Sequence, residues 1–213
     1  LVLQENKGMV KAWQKSETSL LDILQKKAIV DDVVCAAISS CSRTMVMNYL
    51  VKTSSKSKMK NTTTANYYKF LQKDFYTDKY NTIISKEDII KVYSRLIQKD
   101  KGKKADVLKQ QDNNIRVYYR GTLKRTISTV EAKKIEEYLD SICKSFNEAI
   151  KQSRGYEIVI IALFISDLMY AYPFEYYNES IIKIILQMIL YRCGYDVVKY
   201  VSIQQIIEKM DYT

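Results

Sequence analysis

Two stretches of the sequence are apolar almost without interruption, residues 158–168 and 181–190, and each is long enough for a buried helix rather than a strand. Between them lies the polar turn Tyr170-Ala-Tyr-Pro-Phe-Glu-Tyr-Tyr-Asn-Glu-Ser180, which holds the only proline of the chain. Pro173 disfavours helical geometry at Tyr172 and breaks the chain there. Asn178 or Ser180 then stands where a side chain accepts the first free N–H groups of the second helix. The expectation is a pair of core helices packed against each other, meeting at a helix start that suits an anion.

The remaining pattern is also helical. Leu20, Leu21, Ile23, Leu24, Ile29, Val30, Val33, Val34 and Ile38 recur at three- and four-residue intervals, which predicts helix over 16–50 with Ser16 or Thr18 at its start. Residues 52–64 carry Lys52, Lys56, Lys58 and Lys60 among Ser and Thr with no acid, and read as a solvated loop. Over 84–96 a helix opens with Ser85 and an acid three residues later, Asp88, the arrangement of a capping box. The polar stretch 99–114 reads as a loop, and 115–119 and 122–127 as two short strands about Arg120 and Gly121. Helix returns over 128–150, with Val130, Ile135, Tyr138, Leu139, Ile142 and Phe146 on one face. Gly155 ends that region, and Gly194 is a C-cap for the second apolar run.

Composition agrees with this reading. A length of 213 residues allows a full hydrophobic core, and 47% apolar with 11% aromatic residues argues against disorder. Five glycines and one proline favour helices over a sheet with many tight turns. The net charge of +10 is spread along the chain, and a coding bias toward Lys, Asn, Ile and Tyr would give the same excess, so nucleic acid is not expected as a partner. Cys35, Cys41, Cys143 and Cys193 have no C-x-x-C spacing and the chain has no histidine, so buried free thiols are expected and no metal site. No leader-like segment or 18-residue apolar span is present, so no membrane span is expected. The expected location is the cytoplasm, or a host cytoplasm after delivery, with sequence missing upstream of Leu1.

The turn resembles a degenerate Fic-family motif, His-Pro-Phe-x-(Asp/Glu)-Gly-Asn-(Gly/Lys)-Arg between two core helices. Pro173, Phe174 and Asn178 match. Tyr172 stands at the histidine, Tyr176 at the acid, Tyr177 and Glu179 at two small or permissive positions, and Ser180 at the arginine. Residues 65–71, 84–96 and 201–212 are similar to segments that surround the motif in many relatives, the last implying a helix started by Ser202, and the hairpin falls where Fic domains carry their flap. Lys109 is the nearest candidate by spacing for the arginine that precedes the flap in the family. The resemblance spans about residues 35–212 and implies an all-α Fic-like domain with one small β-hairpin, the core at 65–213 and a helical region with the lysine-rich loop at 1–64. It also places Ser39 to Thr44 at the inhibitory helix of such proteins, with Arg43 at the glutamate position.

Nucleotidyl transfer by this family needs a base, a metal-bound diphosphate and a helix start that cradles phosphates. Tyr172, with an ordinary pKa near 10, does not accept a proton at neutral pH as histidine does. Tyr176 does not hold Mg²⁺ as a carboxylate would. Glu179 repels phosphate, and bulky Tyr177 removes the easy left-handed backbone of a glycine. The resemblance therefore implies a catalytically inactive or strongly diverged Fic-like domain without cofactor. Its protein partner would be held by the flap (Arg116, Tyr118, Arg120, Gly121, Lys124) and by the old cleft (Pro173, Phe174, Glu175, Tyr176, Tyr177, Asn178, Glu179, Ser180). Tyr170, Tyr172, Tyr176 and Tyr177 either pack as an aromatic plug or line a groove for a sugar or peptide. The alternative is an active transferase moving AMP or another group to a protein hydroxyl, with ATP and Mg²⁺ as cofactors and Glu175, Asn178 and Ser180 as its polar groups.

Overall fold

The structure, a computed structural model, describes residues 18–35, 81–97 and 107–210. It is mostly helical, with one two-stranded antiparallel sheet. The helices are α1 (Thr18–Cys35), α2 (Lys86–Ile97), α3 (Ile135–Gln152), α4 (Glu157–Ala171), α5 (Asn178–Arg192) and α6 (Ile203–Met210); the strands are β1 (Asn114–Tyr119) and β2 (Thr122–Ser128). Packing divides the chain into one unit of Leu1–Thr82, Arg95–Gln98 and Gln187–Thr213, and a second of Ile83–Ser94 and Lys99–Leu186. The boundary expected at 64/65, the lysine-rich loop, the segment at 65–71 and the Arg43 region all lie outside the described residues.

In the first unit α1 packs against α6 and the 3-10 turn Asp196–Lys199. Its buried side chains are Leu21, Ala28, Ile29, Val30 and Val33, together with Asp31 and Asp32; Leu20 and Ile23, part of the expected apolar pattern, face solvent. Of the helix expected over 16–50, the described part begins at Thr18 and reaches Cys35. Gly194, at φ 83°, ends α5: its N–H donates to the Tyr191 carbonyl and that of Tyr195 to the Leu190 carbonyl, which satisfies carbonyls the helix end would leave free. Ser202 Oγ accepts the Gln205 N–H at 3.1 Å and starts α6.

The second unit opens on the expected capping box. Ser85 N–H donates to Asp88 Oδ2 at 3.0 Å and Asp88 N–H to Ser85 Oγ at 3.2 Å, so α2 begins at Lys86. The Asn147 side chain both accepts from Ile84 N–H and donates to the Ile84 carbonyl, fixing the chain entering α2 to α3. Ile84, Ile89, Leu139, Phe146, Phe164 and Leu168 are among its buried apolar side chains, with the Phe146 and Phe164 rings 4.7 Å apart. The helix expected from residue 128 starts at Ile135 instead: Ser128 ends β2 and a 3-10 turn, Ala132–Lys134, precedes α3. Thr129 and Val130 are committed to bonds with Asn113 and Tyr170, which keeps this stretch out of helix.

α4 packs against α3 and is only half buried. Ile161, Phe164, Leu168 and Ala171 are inside, whereas Val159, Leu163, Met169 and Tyr170 are exposed, so the expectation of a wholly buried 158–168 is corrected. Ile181, Ile184, Ile185 and Ile189 of α5 are buried as expected. Among the described residues no helix is long and apolar enough to cross a membrane.

Candidate functional site

The turn between α4 and α5 is held by the stem of the hairpin. A helix end leaves its last carbonyls without intrahelical donors, and at α4 the carbonyls of residues 170–174 are all taken up. Tyr170 O accepts Val130 N–H at 3.3 Å, and Ala171 O accepts Lys109 Nζ at 3.0 Å. Tyr172 O accepts Asn113 Nδ2 at 3.2 Å, and Pro173 O accepts Lys109 N–H at 2.9 Å. Phe174 O accepts both Asn178 Nδ2 at 2.7 Å and Asn113 Nδ2 at 3.1 Å. Most of these donors come from the residues just before β1 or just after β2.

Lys109 is the centre of this network. It is buried, and its ammonium donates to Asn113 Oδ1, Thr129 Oγ1 and Ala171 O at 2.9 to 3.0 Å. A cation at the negative end of a helix dipole is stabilising there. Burial lowers its pKa to about 8, with the Asp112 charge opposing. From sequence Lys109 was legible only as the spacing match to the family's arginine. The roles of Asn113, inside a polar stretch without periodicity, and of Thr129, inside an expected helix, had no signal.

Of Asn178 and Ser180, the two candidates for capping the second helix, Asn178 turns its side chain back to Phe174. Its Oδ1 accepts Phe174 N–H at 2.8 Å and its Nδ2 donates to Phe174 O, so the side chain closes the turn on itself. Phe174 is fully buried and stacks on Tyr93 with ring centroids 4.1 Å apart. Two non-glycine residues bracket the turn in the left-handed region, Tyr172 at φ 44° and Tyr177 at φ 63°. The expectation that a tyrosine at 177 denies the turn this geometry is therefore wrong: the turn adopts it with the tyrosine in place, at a cost on the order of 1 kcal/mol.

Of the two readings of the tyrosines, a plug or a groove lining, the packed plug does not form. Tyr170, Tyr176 and Tyr177 are exposed by 49%, 58% and 39%, and Tyr172 is partly covered. Exposed tyrosines with the Tyr176 and Tyr177 rings 6.4 Å apart form a surface, not a filling. Burial and the nearby Glu179 charge push the Tyr172 phenol above its ordinary pKa. A hydrogen bond to Glu175, and the charge of that carboxylate, do the same to Tyr176. Pro173 and Ser180 are buried, while Glu175 and Glu179 are exposed. A cavity of about 290 Å³ beside the turn is lined by Lys109, Gln110, Gln111, Asp112, Asn113 and Glu175, so of the expected cleft residues it takes in only Glu175.

The hairpin projects from this stem. Asn114 pairs with Ser128, Ile115 with Ile127, Arg116 with Thr126 and Val117 with Arg125; then the register shifts so that Tyr118 meets Leu123 and Tyr119 meets Thr122, leaving Lys124 as a bulge in β2. Arg120 at φ 48° and Gly121 at φ 76° make the two-residue turn, both left-handed as a type I′ turn demands. Arg116, Tyr118, Arg120, Gly121 and Lys124 are all exposed.

Compared with known proteins, the chain matches no protein-family model and no curated protein.

Proposed function

We propose that this chain is a Fic-like domain that has lost nucleotidyl transfer and binds a protein partner through its hairpin and the adjoining turn. The observation that carries the reading is the hairpin stem clasping the carbonyls of residues 170–174. A hairpin anchored by its stem beside a motif-like turn is the arrangement in which a flap presents a segment by strand addition.

The chemistry supports loss of activity. At the base position stands Tyr172, whose proton is held more firmly than in a free phenol because the residue is partly buried and the Glu179 charge is nearby. Asn178, which matches the motif, spends its amide on Phe174. Magnesium and nucleotide do not fit the residues present: Tyr176 is a phenol where the family has a metal carboxylate, and exposed Glu179 sits in the first turn of α5, where a phosphate would need a positive end. Incubation of the chain with ATP and Mg²⁺ should give neither self-modification by mass spectrometry nor a rise in melting temperature. A bound ligand at a hundred times its dissociation constant would add about 2.7 kcal/mol and be seen. Incorporation of AMP or a clear thermal shift would restore the transferase reading.

A further inference from the structure

We propose that the exposed tyrosines of the α4–α5 turn, together with Glu175, hold an arginine side chain of a partner protein; the inference rests on the partner-binding reading above, at the turn alone, and makes no use of strand addition. The rings of Tyr176 and Tyr177 lie 6.4 Å apart and are tilted by 58°, and both residues are exposed. One cation can therefore lie within about 6 Å of both ring centroids, the reach of a cation–π contact. Phe174, ahead of them in the chain, stacks on Tyr93 with ring centroids 4.1 Å apart. Burial pushes the Tyr93 phenol above its ordinary pKa, and the Glu175 charge and the phenols of Tyr177 and Tyr176 add to this, so three tyrosines and a carboxylate share one neighbourhood. From residue 155 to residue 182 the chain has the acids Glu157, Asp167, Glu175 and Glu179 and not one Lys or Arg, although its net charge is +10. Glu175 and Glu179 are exposed and, among the described residues, neither is in an ion pair. Lys109 lines the cavity beside Glu175 but spends its three ammonium N–H groups on Asn113, Thr129 and Ala171.

Aromatic faces are negative, so rings beside unpaired carboxylates suit a positive group, and the openness of the site decides which one. An ammonium is compact and strongly hydrated, and rings that water reaches do not repay its dehydration. A guanidinium is planar and weakly hydrated, and it stacks on an aromatic face while its N–H fork meets a carboxylate. The Tyr176 hydroxyl donates to Glu175, which puts that carboxylate at the hydroxyl edge of the ring on which a guanidinium would lie. A methylated lysine wants rings closed about it, and a free small cation wants a pocket that buries most of its surface; rings this exposed give neither. The guanidinium therefore arrives on a partner's backbone. An exposed cation–π contact contributes about two- to fivefold in affinity and an exposed ion pair up to about fivefold, so a lone arginine binds weakly, at about 10 mM, and the rest of the partner supplies the remainder.

The test follows amide NMR spectra of the full chain as N-acetyl-Gly-Arg-Gly-amide is added at low salt to about 50 mM, well above the expected dissociation constant. Peptides with citrulline, lysine or trimethyllysine in place of the arginine, and free methylguanidine, go beside it. Shifts at the amides of residues 175–177 are expected, with the citrulline peptide at least about fivefold weaker and the lysine peptide at least about twofold weaker. Tyr176→Ser and Glu175→Gln, both at exposed positions, should each weaken the arginine peptide about threefold with circular dichroism unchanged. Tyr118→Ser, which removes an exposed ring from the hairpin, should leave the binding unaltered. Equal binding of the arginine and citrulline peptides would overturn recognition of a cation, and tighter binding of the trimethyllysine peptide would overturn the choice of a guanidinium. Methylguanidine bound more tightly than the peptide would overturn the partner protein as its source. Shifts that spare residues 175–177, shifts that both turn variants leave at full strength, or no shifts at the highest concentration would overturn the site itself. The incubation with ATP reads loss of nucleotidyl transfer separately, so failure there and failure here are told apart.

Discussion

Asn178 holds Phe174 from both sides, accepting its N–H at 2.8 Å and donating to its carbonyl at 2.7 Å. One side chain thereby satisfies two polar groups of a residue that is itself fully buried. This pair, more than any property of the tyrosines, fixes the turn between α4 and α5. Asn178→Ala leaves the N–H of Phe174 without that acceptor and should cost about 2–4 kcal/mol, the penalty for stranding buried polar groups. Asn178→Asp keeps the acceptor but loses the donor and buries a charge, so it should be at least as damaging at neutral pH. Urea denaturation of both variants checks this; a loss below about 1 kcal/mol for the alanine variant would mean that the turn is set by Pro173 and packing alone.

Lys109 should couple the hairpin to the turn. Lys109→Met keeps much of the apolar stem but removes the donor to Ala171 O, Asn113 Oδ1 and Thr129 Oγ1. The expected loss is again about 2–4 kcal/mol, because the acceptors stay buried. Amide exchange of Val130, whose N–H is bonded to Tyr170 O, should quicken more than exchange in the middle of α3. Equal slowing or quickening at both places would show that Lys109 does no more than fill space.

Tyr177, 39% exposed, makes a sharper test of the turn when its glycine and valine variants are compared with each other, since both give up the tyrosine's covered surface. At φ 63° glycine relieves about 1 kcal/mol of strain and returns about as much in backbone entropy, so Tyr177→Gly should lose little beyond what the covered part of the side chain contributes. Tyr177→Val carries a β-branched residue into the same backbone and should lose about 1–2 kcal/mol more than the glycine variant. Thermal denaturation that ranks valine equal to glycine would contradict the left-handed assignment.

The sequence made some of this readable and hid the rest for physical reasons. The capping box of Ser85 and Asp88, the glycine end at Gly194, the serine start at Ser202 and the hairpin about Gly121 depend on bonds within a few residues, and each stands as expected. The half-exposed α4 was not readable, since a continuous apolar run carries no periodicity to mark an outer face. Nor was the start of α3 at Ile135, because Thr129 and Val130 are pulled from the helix by partners 16 and 40 positions away. At the turn, Pro173 announced the break. The use of Asn178 on Phe174 and the left-handed Tyr177 depend on a closed ring of bonds that residue types alone do not distinguish from a helix cap.

The buried carboxylate of Asp32 gives the first unit a pH dependence. Its Oδ1 accepts Ser202 Oγ and its Oδ2 accepts Gln187 Nε2, both at 2.6 Å, but burial outweighs these bonds and raises its pKa from 3.8 to about 6. A carboxyl with a raised folded pKa binds more protons folded than unfolded, so its contribution is fully present below about pH 4 and is lost as pH rises through about 6. The unit should therefore weaken between pH 4 and pH 7, by up to about 3 kcal/mol for a difference of roughly two pKa steps. Asp31, Arg192 and Asp196 are also buried in this unit and have partners of their own, so the variant and not the parent isolates the effect. Asp32→Asn keeps the shape. Among the described residues Gln187 Oε1 has no hydrogen-bond partner, so a flip of the Gln187 amide presents that oxygen to the new Nδ2. Amide exchange along α1 and α6, measured at pH 5 and pH 7.5 and corrected for intrinsic rates, should show the parent protected more strongly at the lower pH and the variant nearly level. A parent whose protection is greater at pH 7.5, or a variant with the same slope as the parent, would show that Asp32 is ionised in the fold at no cost.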